Sequence, residues 1–284
     1  MKKNNNDGFA VIEFIIVLVI LAVIGFVGFK LLGSKKQDSK SGTGNSAMAG
    51  DNKTGQSDEN TPPMLAKNIG FAFDTYNPAT KRAGDLVFDD IPALSDPLLG
   101  NRIWQDYGIP DNKPGSDQKN PQTVFILPAG TKIIAMVDGE VVGLTSFGAN
   151  DYGIMIAKDK GNKWRYEHEH ISNPKVKLGD KVKAGDVIAE VGAHTNSYQY
   201  AGYGQFEIGL YRPHSNGVGG YEDCVFKFLD PAVKKDIQAK VSTFYKAWEE
   251  FRGDTSIYDE ASYASPGCGM EETISWEKPM KVGP

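Results

Sequence analysis

Two related phrases between Val124 and Tyr211 limit what this chain can fold into more than any other feature. The first runs Ala129-Gly130-Thr131-Lys132-Ile133-Ile134-Ala135-Met136-Val137. The second, one residue shorter, runs Ala184-Gly185-Asp186-Val187-Ile188-Ala189-Glu190-Val191. Each sets a glycine turn ahead of a β-branched run that ends in valine. Val176-Lys177-Leu178-Gly179-Asp180-Lys181-Val182-Lys183 precedes the second phrase and predicts another short strand closed by a Gly-Asp turn. Val and Ile suit a pleated, half-buried surface, and Gly supplies the positive φ of tight corners. The pattern predicts a mainly β fold, a compact barrel-sandwich of short strands.

Further strands are expected at Gly139-Glu140-Val141-Val142, at 154–157 and at 164–170. The last is Gln205-Phe206-Glu207-Ile208-Gly209-Leu210-Tyr211. Its period of two puts Phe206, Ile208 and Leu210 on one face and Gln205 and Glu207 on the other. Upstream, 69–73 and 86–88 read as strands, and Ile103-Trp104 sits among Pro and Gly turns. At the other end, Asp230 is a good N-cap, Pro231 fits the first helical position, and Gly253 ends the run. Val233, Ile237, Val241, Phe244, Trp248 and Phe251 between them keep helical spacing. That predicts one helix over 230–252 packed on the β domain.

The chain begins with a short polar stretch containing Lys2 and Lys3, then Gly8, then an apolar run from Phe9 to Phe29 broken by one charge, Glu13. At 1.5 Å per residue the run is long enough to cross a hydrocarbon core of about 30 Å. Gly8, Phe9 and Glu13 resemble the N-terminus of type IV prepilins and pseudopilins. The resemblance implies a leader over 1–8, cleavage after Gly8, methylation of the Phe9 amine and a membrane helix over 9–32. It also implies that Glu13 pairs with the terminal amine of a neighbouring pilin-like subunit. An uncleaved plain anchor is the alternative. The lysines after the helix, Lys30, Lys35, Lys36 and Lys40, outnumber those before it and would by themselves favour the opposite orientation. The specific prepilin positions outweigh that count, so the rest of the chain is expected outside the cytoplasmic membrane, at the cell surface or in a pilus. Residues 33–63 hold almost no apolar side chain and read as a flexible linker, leaving 64–284 as the extracytoplasmic domain with a C-terminal tail. Cys224 and Cys268 either pair, as export favours, or stand as two separate thiols. A net charge of −5 argues against a nucleic-acid binder.

The order of motifs from Val124 to Pro231 resembles the lysostaphin-type zinc endopeptidases that cut peptidoglycan cross-bridges. Pro128 to Thr131, Asp138 to Val141, Glu169 to Ser172, Val176 to Ile188, Phe206-Glu207 and Asp230-Pro231 match in sequence. The resemblance implies zinc ligands at positions held here by Asn120, Val124 and Gln205, with Tyr203 at the first residue of the late His-x-His. None is a His, Asp, Glu or Cys. Only His170, matching an accessory catalytic His, remains. Catalytic zinc needs three protein ligands and an open position. The resemblance therefore implies a degenerate site, with no catalytic residue and no cofactor expected. A groove lined by Asn120, His168, His170, Tyr203, Gln205 and Glu207 would bind cell-wall glycan or peptide. An alternative set of His168, His170 and Glu207 could hold zinc and restore an endopeptidase, since His168 and His170 should share a strand face. Glu167 and Glu169 would then be solvated on the other face. A purely structural minor pilin is the third reading. The biotinyl or lipoyl carrier alternative fails because Gly192-Ala193-His194-Thr195 presents no lysine.

Overall fold

The computed structural model describes residues 64–90, 100–110, 118–192 and 202–277. Gly8, Phe9, Glu13, the expected membrane helix and the linker lie outside those residues, as does His194. Among the described residues no helix is long and apolar enough to cross a membrane.

The fold is mainly β with one C-terminal helix. In chain order the strands are β1 (Arg82–Ala83), β2 (Leu86–Val87), β3 (Trp104–Gln105), β4 (Thr123–Pro128), β5 (Lys132–Ile134), β6 (Gly139–Gly148) and β7 (Asp151–Ala157). They continue with β8 (Arg165–Ser172), β9 (Lys181–Val182), β10 (Val187–Val191), β11 (Tyr203–Pro213), β12 (Gly220–Asp223) and β13 (Ile274–Trp276). The β1–β2 hairpin stands apart, and the others form one antiparallel sheet along β13-β12-β11-β8-β7-β6-β9. β10 joins β5 to β8, and β4 joins β3 to β11.

β11 is the spine. One edge pairs with β4 and then β12, the other with β8. Its alternation is as the sequence predicts: Phe206, Ile208 and Leu210 are completely buried. β4 is buried along most of its length, so its run of Val124, Phe125, Ile126 and Leu127 is apolar rather than alternating.

The helix spans Pro231–Arg252. Asp230 Oδ1 accepts from Ala232 N–H at 2.9 Å, and Gly253 closes the helix at φ 66°. That left-handed turn is one glycine takes without a Cβ clash. Val241, Phe244, Tyr245 and Trp248 are buried. Trp104 and Phe88 receive them, with ring centroids 5.4 Å apart for Phe244–Trp104 and 5.0 Å for Phe88–Trp248. Aromatic pairs at these spacings add about 0.5–1.5 kcal/mol each beyond area burial. Val233 and Ile237, expected in the same stripe, are only half-buried, because the contact lies along the second half of the helix.

Cys224 and Cys268 are joined in a disulfide, Cα to Cα 5.9 Å, across 44 residues. Beside it the buried Tyr107 hydroxyl lies 2.8 and 2.7 Å from the Glu222 and Glu272 carbonyl oxygens and accepts from Ile274 N–H. The tail is thereby fixed to the sheet, and β13 adds to the edge of β12.

One expected strand is not a strand, and another is cut to two residues. Residues 69–73 lie outside the ladder, although Ile69 and Phe71 are core residues and Ile134 N–H donates to the Gly70 carbonyl at 2.8 Å. Only Lys181–Val182 of the 176–183 stretch pairs, with β6, because the Gly179 turn uses up the residues before it.

Candidate functional site

The register of β4, β11 and β8 sets three rows of side chains across one face. Val124, Glu207 and Glu169 form one row, and Glu167 stands opposite Gly209 in the next. Gln122 lies just ahead of β4. Its Nε2 donates to Glu167 Oε2 at 3.3 Å and to Glu169 Oε2 at 3.2 Å. The Gln205 amide donates to Glu207 Oε1 on the same face.

His168 and His170 do not share that face. Between β7 and β8, Tyr152 pairs with Ile171 and Ile154 with His168, so β8 carries one residue more than its partner. The extra residue is His170, at φ 58°. Such a bulge reverses the in–out parity that follows it. His168 therefore faces inward with Tyr166, while Ile171 also faces inward, and His170 turns to the groove. His168 is fully buried, its Nε2 accepting from Met136 N–H at 3.3 Å with its ring near Phe206. Burial pushes its pKa down to about 4, so the ring is neutral. It is a core residue and is unavailable to the expected groove or to the set of His168, His170 and Glu207. Glu167 and Glu169, expected to be solvated, are 3% and 8% exposed.

His170 is held between carboxylates. Nδ1 lies 3.2 Å from Asp151 Oδ2 and Nε2 lies 3.8 Å from Glu207 Oε2. Burial disfavours its charge, but Glu207, Asp151 and Glu169 outweigh it and raise the ring to about 9. Burial and then the Glu207 charge raise Glu169 to about 7, against the Gln122 hydrogen bond. Donor atoms of Glu169, His170 and Glu207 lie within 4.8 Å of one another. The face thus presents an imidazolium in an acidic surround, open enough that His170 and Glu207 side chains are 21% and 13% exposed.

The remaining expected residues divide. Tyr203 starts β11 on the Glu207 face, four residues away and so about 13 Å along the strand. Its hydroxyl lies 3.3 Å from Asp89 Oδ2. Asn120 exchanges backbone hydrogen bonds with Gly108 and Ile109, and its Nδ2 is buried without a partner. His214 lies in the loop before β12, as a surface residue, bonded to Val218 O and Ser275 Oγ. Gln122, Asp151, Glu167, Glu169 and Glu222 were not expected at the site. Counting parity back from Glu207 could have found Glu169. No local signal marks Asp151, which reaches His170 only through the bulge.

Residues 119–210 match Peptidase family M23 and form an M23 peptidase-like domain. No curated protein matches the chain. Among solved structures, LytU is similar at 28% identity, over 38% of this chain and 71% of that one, with a TM-score of 0.32. The catalytic domain of the prophage-encoded M23 protein EnpA from Enterococcus faecalis is 27% identical over 40% of this chain and 82% of that one, TM-score 0.31. The catalytic domain of lysostaphin from Staphylococcus simulans is 23% identical over 39% and 81%, TM-score 0.30.

Zinc, which the family normally uses, does not fit the three positions at which the resemblance implies its ligands. Val124 is an apolar side chain 5% exposed, Gln205 spends its amide on Glu207, and Asn120 brings neither imidazole nor carboxylate.

Proposed function

We propose that this is a membrane-anchored or pilus-associated surface protein whose peptidase-like domain binds cell-wall peptide without cutting it. The observation that carries the reading is chemical: Glu207, Glu169 and Asp151 make the face acidic, and Asn120, Val124 and Gln205, where the resemblance implies the family's metal ligands, bring no imidazole or carboxylate. Such a lining favours a wall peptide bearing a free amine over a neutral glycan, because a partly desolvated carboxylate gains most from a charged donor. Similarity to a cell-wall peptidase supports the substrate class, and the prepilin-like Gly8, Phe9 and Glu13 support the location.

Co-sedimentation of the full-length protein in detergent with purified peptidoglycan tests it. The protein should pellet with the wall, and Glu207→Gln should weaken the association about tenfold or more, the cost of one charge-assisted hydrogen bond. No soluble fragments should appear with or without added zinc. Zinc-dependent release of fragments would replace this reading with the endopeptidase one. That second reading has one structural support: Glu169, His170 and Glu207 bring their donor atoms together, and Asp151 orients the imidazole as a carboxylate does beside a metal ligand. Absence of any wall association would leave a structural pilus subunit.

A further inference from the structure

Two clefts flank the point where the chain enters the described domain. Met64 lines one, with Lys158, Lys181 and Lys183. Leu65 lines the other, with Lys227, Lys234 and Lys235 beside Leu229 and Pro231. The entry is fixed: the Tyr166 hydroxyl donates to the Met64 carbonyl at 3.0 Å, Ala66 N–H donates to Phe228 O, and Asp230 N–H donates to Ala66 O. Carboxylates offset part of the charge. Asp138 lies 2.7 Å from Lys67, Glu140 2.6 Å from Lys181 and Glu271 3.6 Å from Lys227, and Asp186 shares a cleft with Lys183. Lys158 and Lys235 have no partner among the described residues, and Lys234 Nζ donates to the Lys227 carbonyl rather than to an acid. The other end of the same strands is acidic. β7 runs from Asp151, which holds His170, to Ala157, next to Lys158, a path of about 20 Å.

A lysine patch is ordinary protein surface; this one is singled out because the chain leading from the Phe9–Phe29 run arrives in its middle. We propose that this end of the domain docks on the anionic lipid headgroups of the membrane that holds the chain, leaving the acidic groove at the far end of β7 turned away from the lipid. The inference rests on the membrane-anchor part of the reading above and does not depend on what the groove binds. A linker with the length and composition of 33–63 spans about 30 Å in root-mean-square terms. It keeps the domain beside the bilayer at an effective concentration on the order of millimolar, so a modest attraction is enough. Each lysine near an anionic leaflet adds to that attraction, which fades beyond a Debye length of about 8 Å at physiological salt. Lysine Nζ groups donate to phosphate oxygens, and Leu65, 37% exposed, offers an apolar side chain to the headgroup boundary.

Reconstitution of the full-length protein into vesicles of phosphatidylcholine alone, or of phosphatidylcholine and phosphatidylglycerol in equal parts, tests this. Resistance to alkaline carbonate extraction reads insertion of the anchor separately. Acetylation by a membrane-impermeant reagent, followed lysine by lysine with mass spectrometry, reads docking. Lys158, Lys183 and Lys235 should react about threefold or more slowly in the anionic vesicles, and about 1 M salt should remove the difference. Lys132 is exposed and stands past His170, paired through Glu190 to the end of β8, and should react alike in both. Lys234→Glu combined with Lys235→Glu should abolish the protection of Lys158 and Lys183 in the other cleft. An inserted protein whose Lys158 and Lys183 react alike in both vesicles, or protection that survives the double charge reversal, overturns the proposal. Protection in neutral vesicles that grows with protein density would give the face to a second copy of the chain and overturn it as well. Protein that carbonate extracts would overturn the anchor reading, and this proposal with it.

Discussion

Glu207→Gln probes the charge balance around His170. In the folded domain the imidazole sits at about 9 against an ordinary 6.5. At about 1.4 kcal/mol per pH unit, that gap is about 3 kcal/mol in favour of the charged ring. A histidine raised above its unfolded value gives stability that is complete below pH 6.5 and is lost as pH rises through about 9. Glu207 Oε2 lies 3.8 Å from Nε2. Unit charges about 4 Å apart interact by about 4 kcal/mol at an effective dielectric near 20, and the half-open groove screens this to about 2 kcal/mol. Removing the Glu207 charge should therefore lower the His170 midpoint by about 1.5 pH units. The same substitution also relieves Glu169, so melting temperature mixes two effects of opposite sign. The direct assay is the pH dependence of imidazole ring signals by two-dimensional NMR. His168, near pH 4, serves as an internal contrast. A wild-type His170 midpoint at or below 6.5, or one unmoved by Glu207→Gln, would refute the assignment of its charge to this cluster.

Three more outcomes are expected. Reducing Cys224–Cys268 frees a loop spanning 44 residues, which the chain-entropy estimate values at about 4 kcal/mol; calorimetry with reductant should show Tm lower by about 8–16 °C. Trp248→Ala empties a fully buried site under the helix and should cost about 3–5 kcal/mol in urea unfolding, where a loss below about 1 kcal/mol would mean the helix is loosely docked. Mass spectrometry of protein from the native host should find N-methylated Phe9 as the first residue, and an intact Met1 would leave the plain-anchor reading.

Much of the scaffold was legible because local rules and tertiary packing agree there. Phe206, Ile208 and Leu210 alternate in the sequence as they do in β11, and Asp230-Pro231 and Gly253 bracket the helix within a residue. Segment 69–73 misled because Ile69 and Phe71 are apolar for the core's sake, while nothing pairs with their backbone as a ladder. β12 and β13 escaped notice because they are short and carry polar residues, β12 being held by β11 and β13 by β12 rather than by any local pattern. The site was harder. One inserted residue at His170 sends the two histidines to opposite faces and sets His170 beside Glu169 in the groove, and period-two reasoning has no term for a bulge. Histidine tolerates left-handed backbone better than most residues, but that tolerance marks no position in advance. The acids beneath the groove come from Glu167 on β8 and Glu222 on β12, which meet only because Gly209 between them is bare.

The short β13 strand has a role beyond fixing the tail. Without it, β12 would end the sheet with a free row of amide and carbonyl groups, the kind of border along which identical molecules add to one another. Ile274–Trp276 covers that border and leaves β13, three residues long, as the outermost strand, a shorter edge that the Tyr107 hydroxyl and the cystine hold in place. The cystine, by fixing the tail, thus decides which strand ends the sheet, putting a three-residue border where a four-residue one would otherwise stand.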